Sequence, residues 1–207
     1  MGVKMSKGKR IVGILLVVIG VGLIISVGYK KYITFKKNND LIEDFRENIG
    51  TTEDEDKVNN KEDNLDEKEE IDMDEISAIA IMEIPSIKLM QGVVEGIEDS
   101  VLQYYLGHFP DSVNPGDTGN FAVAGHRVSE YTDAFVNLYK VKIGDDIIIT
   151  TREKKFTYEV NDMFIVAPED VYVLDQTEEP TITLVTCTVG AKERVIVKGI
   201  LKTVEEL

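Results

Sequence analysis

Thr183-Leu184-Val185-Thr186-Cys187 ends in the only cysteine of the 207-residue chain, and Arg194 follows it seven residues later. The β-branched residues of segment 181–186 favour a strand, because their side chains lose little rotamer freedom on a pleated surface. Segment 188–193 is polar and contains a glycine, and a second β-branched run begins at Arg194. This pattern predicts a hairpin, in which opposed residues have Cβ atoms about 5 Å apart. We therefore expect Arg194 to stand beside the Cys187 thiol.

A histidine ends another predicted strand. His126 follows the apolar segment 120–124, and the chain has only one other histidine, His108. A thiolate can attack a carbonyl, an imidazole can protonate the departing amine, and a guanidinium can stabilise the oxyanion. Each residue also has a structural interpretation: an inert buried thiol, a hydrogen-bonded core histidine, and a surface arginine paired with Glu193 or Asp162. Spacing alone leaves both interpretations open.

The sequence from residue 76 onward predicts an all-β domain, in which turns with glycine, proline and charged residues separate seven or eight strands. The predicted strands cover 79–84, 89–94, 120–125, 146–151, 155–166, 181–186 and the segment that starts at 194. Short helices are predicted over 100–106, 131–139 and 169–174. We expect a closed or nearly closed barrel, because closure removes exposed strand edges.

The amino-terminal segment predicts a single transmembrane anchor. Residues 1–10 are basic, and the eighteen residues 11–28 carry no charge. A helix of this length, at about 1.5 Å per residue, is nearly long enough to cross a hydrocarbon core of about 30 Å. The alternative is a cleavable signal peptide, whose apolar region is normally about 7 to 15 residues long. The run passes directly into Tyr29-Lys30-Lys31 without a small-residue cleavage site, which favours an uncleaved helix. We expect residues 1–10 in the cytoplasm and the remainder outside.

Residues 29–75 are predicted to form an acidic extracellular linker. Residues 40–75 contain seventeen acidic and four basic residues, so this segment holds most of the chain's net charge of −15. Such a segment stays extended and solvated, apart from a short helix that Leu41, Ile42, Phe45 and Ile49 can support. Residues 76–207 have 21 acidic and 11 basic residues, a balance that offers no basic surface for nucleic acid.

Two motifs together resemble one protein family. The segment Gly119-Asn-Phe-Ala-Val-Ala-Gly-His126-Arg127 and the Thr-Leu-Val-Thr-Cys187 signature with Arg194 are similar to those of sortases, the Gram-positive cysteine transpeptidases of the cell surface. The likeness extends over residues 79–201. It implies an eight-stranded sortase-type β-barrel in which Cys187 is the nucleophile, His126 the general acid/base and Arg194 the oxyanion-stabilising or substrate-positioning residue.

The resemblance also implies a function. Sortases cleave an LPxTG-like sorting signal after the threonine through a thioacyl-enzyme. They then transfer the protein to a cell-wall amine, such as a peptidoglycan precursor or a pilin lysine. Neither a cofactor nor a metal ion is expected, and the enzyme would be a single-pass cell-membrane protein with an extracellular catalytic domain. The compact domain looks most like class D and next like class A. His108 matches a recurring turn of the family, so we expect a structural role for it.

The segment 167–180 is expected to govern specificity. Its apolar residues Val171, Tyr172, Val173 and Leu174 either line the substrate groove or form a buried helix face. Its acidic residues resemble a region where some class A sortases bind calcium, but the ligands do not match, and no metal site is predicted.

Other cysteine and histidine enzymes fit less well. Papain-like enzymes place the cysteine before the histidine, and the Ser-His-Gly-Cys type of motif found in L,D-transpeptidases is absent. Two histidines without a zinc-type spacing supply too few metal ligands. Two alternatives remain open: a membrane-tethered cysteine endopeptidase without transfer activity, and a non-enzymatic stalked β module that binds a wall component.

Overall fold

The computed structural model of the chain describes residues 7–49 and 76–207. Eight strands form a closed barrel in the order β1-β2-β3-β4-β7-β8-β6-β5. The strands are β1 (Ala80–Ile84), β2 (Leu89–Glu95), β3 (Leu106–His108), β4 (Gly119–Ala124), β5 (Asp146–Thr150), β6 (Lys154–Val166), β7 (Pro180–Cys187) and β8 (Arg194–Glu206). The predicted closed all-β barrel is confirmed.

Two strand pairs are parallel, and one of them positions the predicted site. The strands β2 and β3 are parallel, as are β4 and β7, whereas all other neighbours are antiparallel. Parallel strands need a long crossover connection, and here it contains β5 and β6. Because β4 and β7 run in the same direction, their carboxyl ends lie at one edge of the barrel.

The barrel has an apolar interior and a partly covered outer face. On β4, Phe121 and Val123 belong to the interior cluster, and on β7 Ile182 and Leu184 do the same. Side chains alternate along a strand, so the residues between them point outward. Every residue of β4 is nevertheless buried, because the outer face at this strand is covered as well.

The structure differs from the extended linker expected from residue 29. A single helix, α1, runs from Lys7–Glu47, and its second half packs on the barrel. Leu41, Ile42 and Phe45 are buried in a cluster with residues of β1 and β2 and of the segment 101–105. These apolar residues stand on one helix face, as the predicted short helix requires, but the helix is continuous with the apolar segment and docks on the barrel. Residues 50–75, which carry thirteen of the seventeen acidic residues of segment 40–75, lie outside the described residues.

The short helices also differ from the prediction. Within 131–139, helix begins only at Leu138, as the 3-10 helix Leu138–Lys140. The Ser129 hydroxyl oxygen accepts hydrogen bonds from the backbone N–H groups of Tyr131 and Thr132, and such local bonds compete with helix formation. The predicted helix over 100–106 is shortened to α2 (Asp99–Leu102), and Leu106 instead begins β3.

Candidate active site

Cys187 and Arg194 face each other across the β7–β8 hairpin. They are the last opposed pair before the loop. The loop is held by a hydrogen bond from the Thr188 N–H to the Glu193 carbonyl (3.0 Å) and by one from the Glu193 N–H to the Thr188 hydroxyl (3.1 Å). Gly190 has a φ of 83°, in the left-handed region that glycine adopts without strain. The hairpin therefore places the guanidinium-bearing residue next to the thiol-bearing one, as the spacing predicted.

His126 reaches the same position from the other side of β7. The Gly125 N–H donates to the Val185 carbonyl (3.1 Å), and the Thr186 hydroxyl donates to the Gly125 carbonyl (2.7 Å). His126 and Cys187 each stand one residue beyond these bonds. Because neighbouring strands lie about 4.8 Å apart, the two residues occupy adjacent backbone positions.

All three predicted site residues lie on the outer face of the barrel. Val185 and Ile196 belong to an apolar cluster outside the interior core. Cys187 is two residues beyond Val185, and Arg194 is two residues before Ile196, so alternation gives both the same outward face. His126 continues the outward series of β4. All three are partly exposed, so the structure brings them together at one accessible edge.

Main-chain carbonyl groups orient the Arg194 side chain. Its Nη1 donates to the main-chain carbonyls of Ala191 (3.4 Å) and Glu193 (3.2 Å). Among residues 7–49 and 76–207, no carboxylate forms an ion pair with it. Neutral carbonyls orient the guanidinium without cancelling its charge, which leaves it able to stabilise an oxyanion. The interpretation as a surface partner of the Glu193 or Asp162 carboxylate does not agree with these contacts.

The loop between β6 and β7 forms a wall beside the three residues. It contains the 3-10 helix Val171–Leu174. Val173 is buried and Leu174 half-buried against the outer cluster that includes Val185, whereas Val171 and Tyr172 are exposed. Each interpretation of this segment therefore holds for part of it. Val173 packs against the outer cluster as part of a buried face, whereas Val171 and Tyr172 are exposed and can contact a ligand.

Asn120 fixes this loop to the barrel, and the sequence analysis missed it. Its side chain is fully buried. The amide nitrogen donates to the carbonyls of Val173 (3.2 Å) and Asp175 (3.3 Å), and the amide oxygen accepts from the Thr183 hydroxyl (2.7 Å). The Asn120 backbone N–H donates to the Gln176 side chain (3.0 Å). A polar amide at the start of an otherwise apolar strand was the available signal.

The second histidine has a structural environment. His108 is buried, its Nδ1 lies 2.8 Å from Glu95 Oε2, and its Nε2 lies 2.7 Å from the Ser112 hydroxyl. Its ring packs against Phe121 at 5.0 Å between centroids. Both ring nitrogens are occupied, which agrees with the structural role predicted for His108. Within the described parts of the chain, no group of three or more His, Cys, Asp or Glu side chains is arranged to hold a metal ion.

Comparisons with known proteins identify the family of this chain. The family model for the Sortase domain matches residues 82–202. Sortase A of Streptococcus agalactiae serotype III is 32% identical over 129 residues, which cover 59% of this chain and 52% of that protein. Sortase A of Bacillus anthracis is 28% identical over 182 residues, or 86% of this chain and 85% of that protein.

A solved structure also matches most of the chain. The structure of a Clostridium perfringens Sortase D5 transpeptidase has a TM-score of 0.66 and 35% identity, and the match covers 81% of this chain and 99% of that chain. By contrast, this chain spans only about half the length of the Streptococcus agalactiae protein. The family model alone covers more than half of this chain. The chain belongs to the sortase family.

Proposed function

We propose that this protein is a membrane-anchored cysteine transpeptidase. In this proposal it cleaves an LPxTG-like sorting signal after the threonine and transfers the protein to a cell-wall amine. The observation that carries the proposal is the convergence of Cys187, His126 and Arg194 on the outer face of a sortase-family barrel.

The arrangement supports a two-step acyl transfer. The Cys187 thiolate attacks the threonine carbonyl carbon of the signal, and a C–S bond forms. Arg194, whose guanidinium is held by neutral carbonyls, stabilises the negative oxygen of the tetrahedral intermediate. The C–N bond then breaks while His126 gives a proton to the departing amine. In the second step an incoming amine attacks the thioester, loses a proton to His126 and releases Cys187.

The wall made by the β6–β7 loop is proposed to receive the apolar part of the signal. Val171 and Tyr172 are exposed there, and Asn120 holds the loop in place through Val173 and Asp175. A preordered wall binds a peptide with a smaller entropy cost than a mobile loop would. Class D is the subclass we propose, and the acceptor amine is a peptidoglycan precursor or a pilin lysine.

The proposed location is the cell membrane, with one pass and an extracellular catalytic domain. Among the described residues, one helix is long and apolar enough to cross a membrane. Its most apolar segment has a mean hydropathy of 2.9, and none of the residues in that segment is buried. An apolar helix surface of this length has no partner in the described chain and fits a bilayer.

Incubation of the full-length protein in detergent micelles with an LPxTG peptide and an amine tests the function. We expect a thioacyl adduct on Cys187 by mass spectrometry and a ligated product whose share rises with amine concentration. Cys187→Ala should abolish both, whereas Val189→Ala, at an exposed position of the same hairpin, should retain both. Hydrolysis alone at every amine concentration would identify an endopeptidase, and the absence of any adduct would favour the non-enzymatic module.

A further inference from the structure

The loop that follows His126 is attached to α1. Lys30 Nζ lies 2.6 Å from Glu130 Oε2 and 4.9 Å from the centre of the Tyr131 ring. Lys31 Nζ lies 2.5 Å from Asp133 Oδ2. Two consecutive helix residues are thus bound to three residues of one barrel loop, so these contacts fix the level of the loop along the helix.

Further contacts make the attachment rigid. Lys37 Nζ lies 4.6 Å from the centre of the Tyr104 ring. The Asn38 side-chain oxygen accepts a hydrogen bond from the Gly92 N–H (2.9 Å) in a buried position. A Cβ on Gly92 would stand 2.6 Å from the Leu41 side chain, so a larger residue at position 92 would require the Leu41 side chain to move.

The attachment lies close to the apolar part of α1. Lys30 is two residues past Gly28, the last residue of the apolar segment 11–28, and two residues span about 3 Å along a helix. The headgroup layer on each side of a bilayer is about 5 to 8 Å thick. Lys30 and its partner Glu130 would therefore lie at headgroup level. His126 is four residues from Glu130, a span of at most about 14 Å.

The exposed side chains at this level suit a lipid interface. Tyr29, Tyr32 and Phe35 of α1 are more than half exposed. On the barrel, Val128 is 54% exposed, and the Arg127 guanidinium packs over the exposed ring of Tyr139 at 5.9 Å. Aromatic rings with a polar end and arginines with an apolar stem are the residues that membrane interfaces favour.

We propose that the His126 end of the barrel faces the membrane and that the surface formed by residues 127–133 and 29–35 lies on lipid headgroups. This inference rests on the membrane anchoring proposed above. The active site would then open close to the bilayer surface. A sorting signal or an acceptor that is still attached to the membrane would reach Cys187 without leaving that surface.

Depth-dependent fluorescence quenching tests this orientation. The full-length chain carrying Cys187→Ala, which removes its only thiol, would be placed in phosphatidylcholine–phosphatidylglycerol vesicles with an NBD label at Val128→Cys. The matched control is Glu153→Cys, an exposed position next to the start of β6. The far end of β6 pairs with Arg194, so the control lies up to about 40 Å from the site end.

We expect quenching by headgroup spin-labelled lipid to be at least twofold greater at position 128 than at position 153. The double charge reversal Lys30→Glu with Lys31→Glu should reduce quenching at 128, and the further change of Glu130→Lys with Asp133→Lys should restore it. If Val128→Cys lowers the melting temperature, the label is placed at Tyr139→Cys, with the same expectation. Equal quenching at both positions in protein that floats with the vesicles would overturn the orientation alone. Failure to float would overturn the anchoring and the orientation together.

Discussion

The packing of α1 on the barrel predicts a specific loss of stability for Phe45→Ala. Phe45 is 2% exposed in the cluster that joins α1 to the barrel, whereas Phe35, on the same helix, is 64% exposed. Truncation of a buried phenylalanine costs about 3 to 5 kcal/mol. Because this cluster lies on the outside of the barrel and can partly collapse, we expect a cost of about 3 kcal/mol. Phe35→Ala should change the free energy of unfolding by no more than about 0.5 kcal/mol.

Urea unfolding of the full-length protein in micelles, followed by tyrosine circular dichroism, measures both variants. With a denaturant slope of about 2 kcal/mol per molar urea, Phe45→Ala should lower the midpoint by about 1.5 M, and Phe35→Ala by about 0.25 M or less. If α1 leaves the barrel before the barrel unfolds, the same shift should appear in the first of two transitions. Equal midpoints for the two variants would refute the conclusion that α1 is part of the folded domain.

Three further predictions concern the site and the core. Asn120→Ala removes the side-chain donor to two loop carbonyls, so it should raise the KM for the signal peptide several-fold with a smaller change in kcat. Asn161→Ala, at an exposed position, should change neither constant. A fall in kcat alone would contradict a role of Asn120 in holding the loop. Arg194→Ala should lower kcat by about 10² to 10³, with Lys192→Ala as the control in the same hairpin, and steady-state rates decide this. Burial raises the pKa of Tyr158 to about 12, from an ordinary value of about 10. The neutral phenol therefore contributes its full stability below pH 10, and this contribution declines as the pH rises towards 12. Urea midpoints measured between pH 8 and 11 should fall less in Tyr158→Phe than in the parent.

Most strands and the pairing of Cys187 with Arg194 were predictable because their signals are local. Strand β7 is a β-branched run, and the loop 188–193 has the composition of a hairpin, so the pairing of Cys187 with Arg194 follows from spacing. His126 required more, since its approach to Cys187 depends on the parallel pairing of β4 with β7. The position of both residues at strand ends allows them to meet at one rim of a barrel, and the resemblance to a known family favours that contact.

Other features could not be predicted because their causes are not local. The short strand β3 is held between β2 and β4, and a run of three residues has no readable period. The helical spacing of Leu41, Ile42 and Phe45 predicted a short helix, but its continuity with the apolar segment and its packing on the barrel depend on residues far away in the sequence. Lys30 and Lys31 directly follow the apolar segment, and no local pattern predicts that they bind Glu130 and Asp133, which lie about 100 residues further along the chain.

The two threonines of the signature explain how distant parts of the chain form one site. The Thr183 hydroxyl donates to the Asn120 side chain on the outer face, and the Thr186 hydroxyl donates to the Gly125 carbonyl, each at 2.7 Å. These bonds join β7 to β4 at two separate places along the pair. A slip by one residue would turn every side chain of the strand to the opposite face, and would take the thiol of Cys187 away from His126. The threonines therefore fix the register on which the alignment of the proposed nucleophile with the proposed acid depends, which gives a physical reason for finding them beside the cysteine.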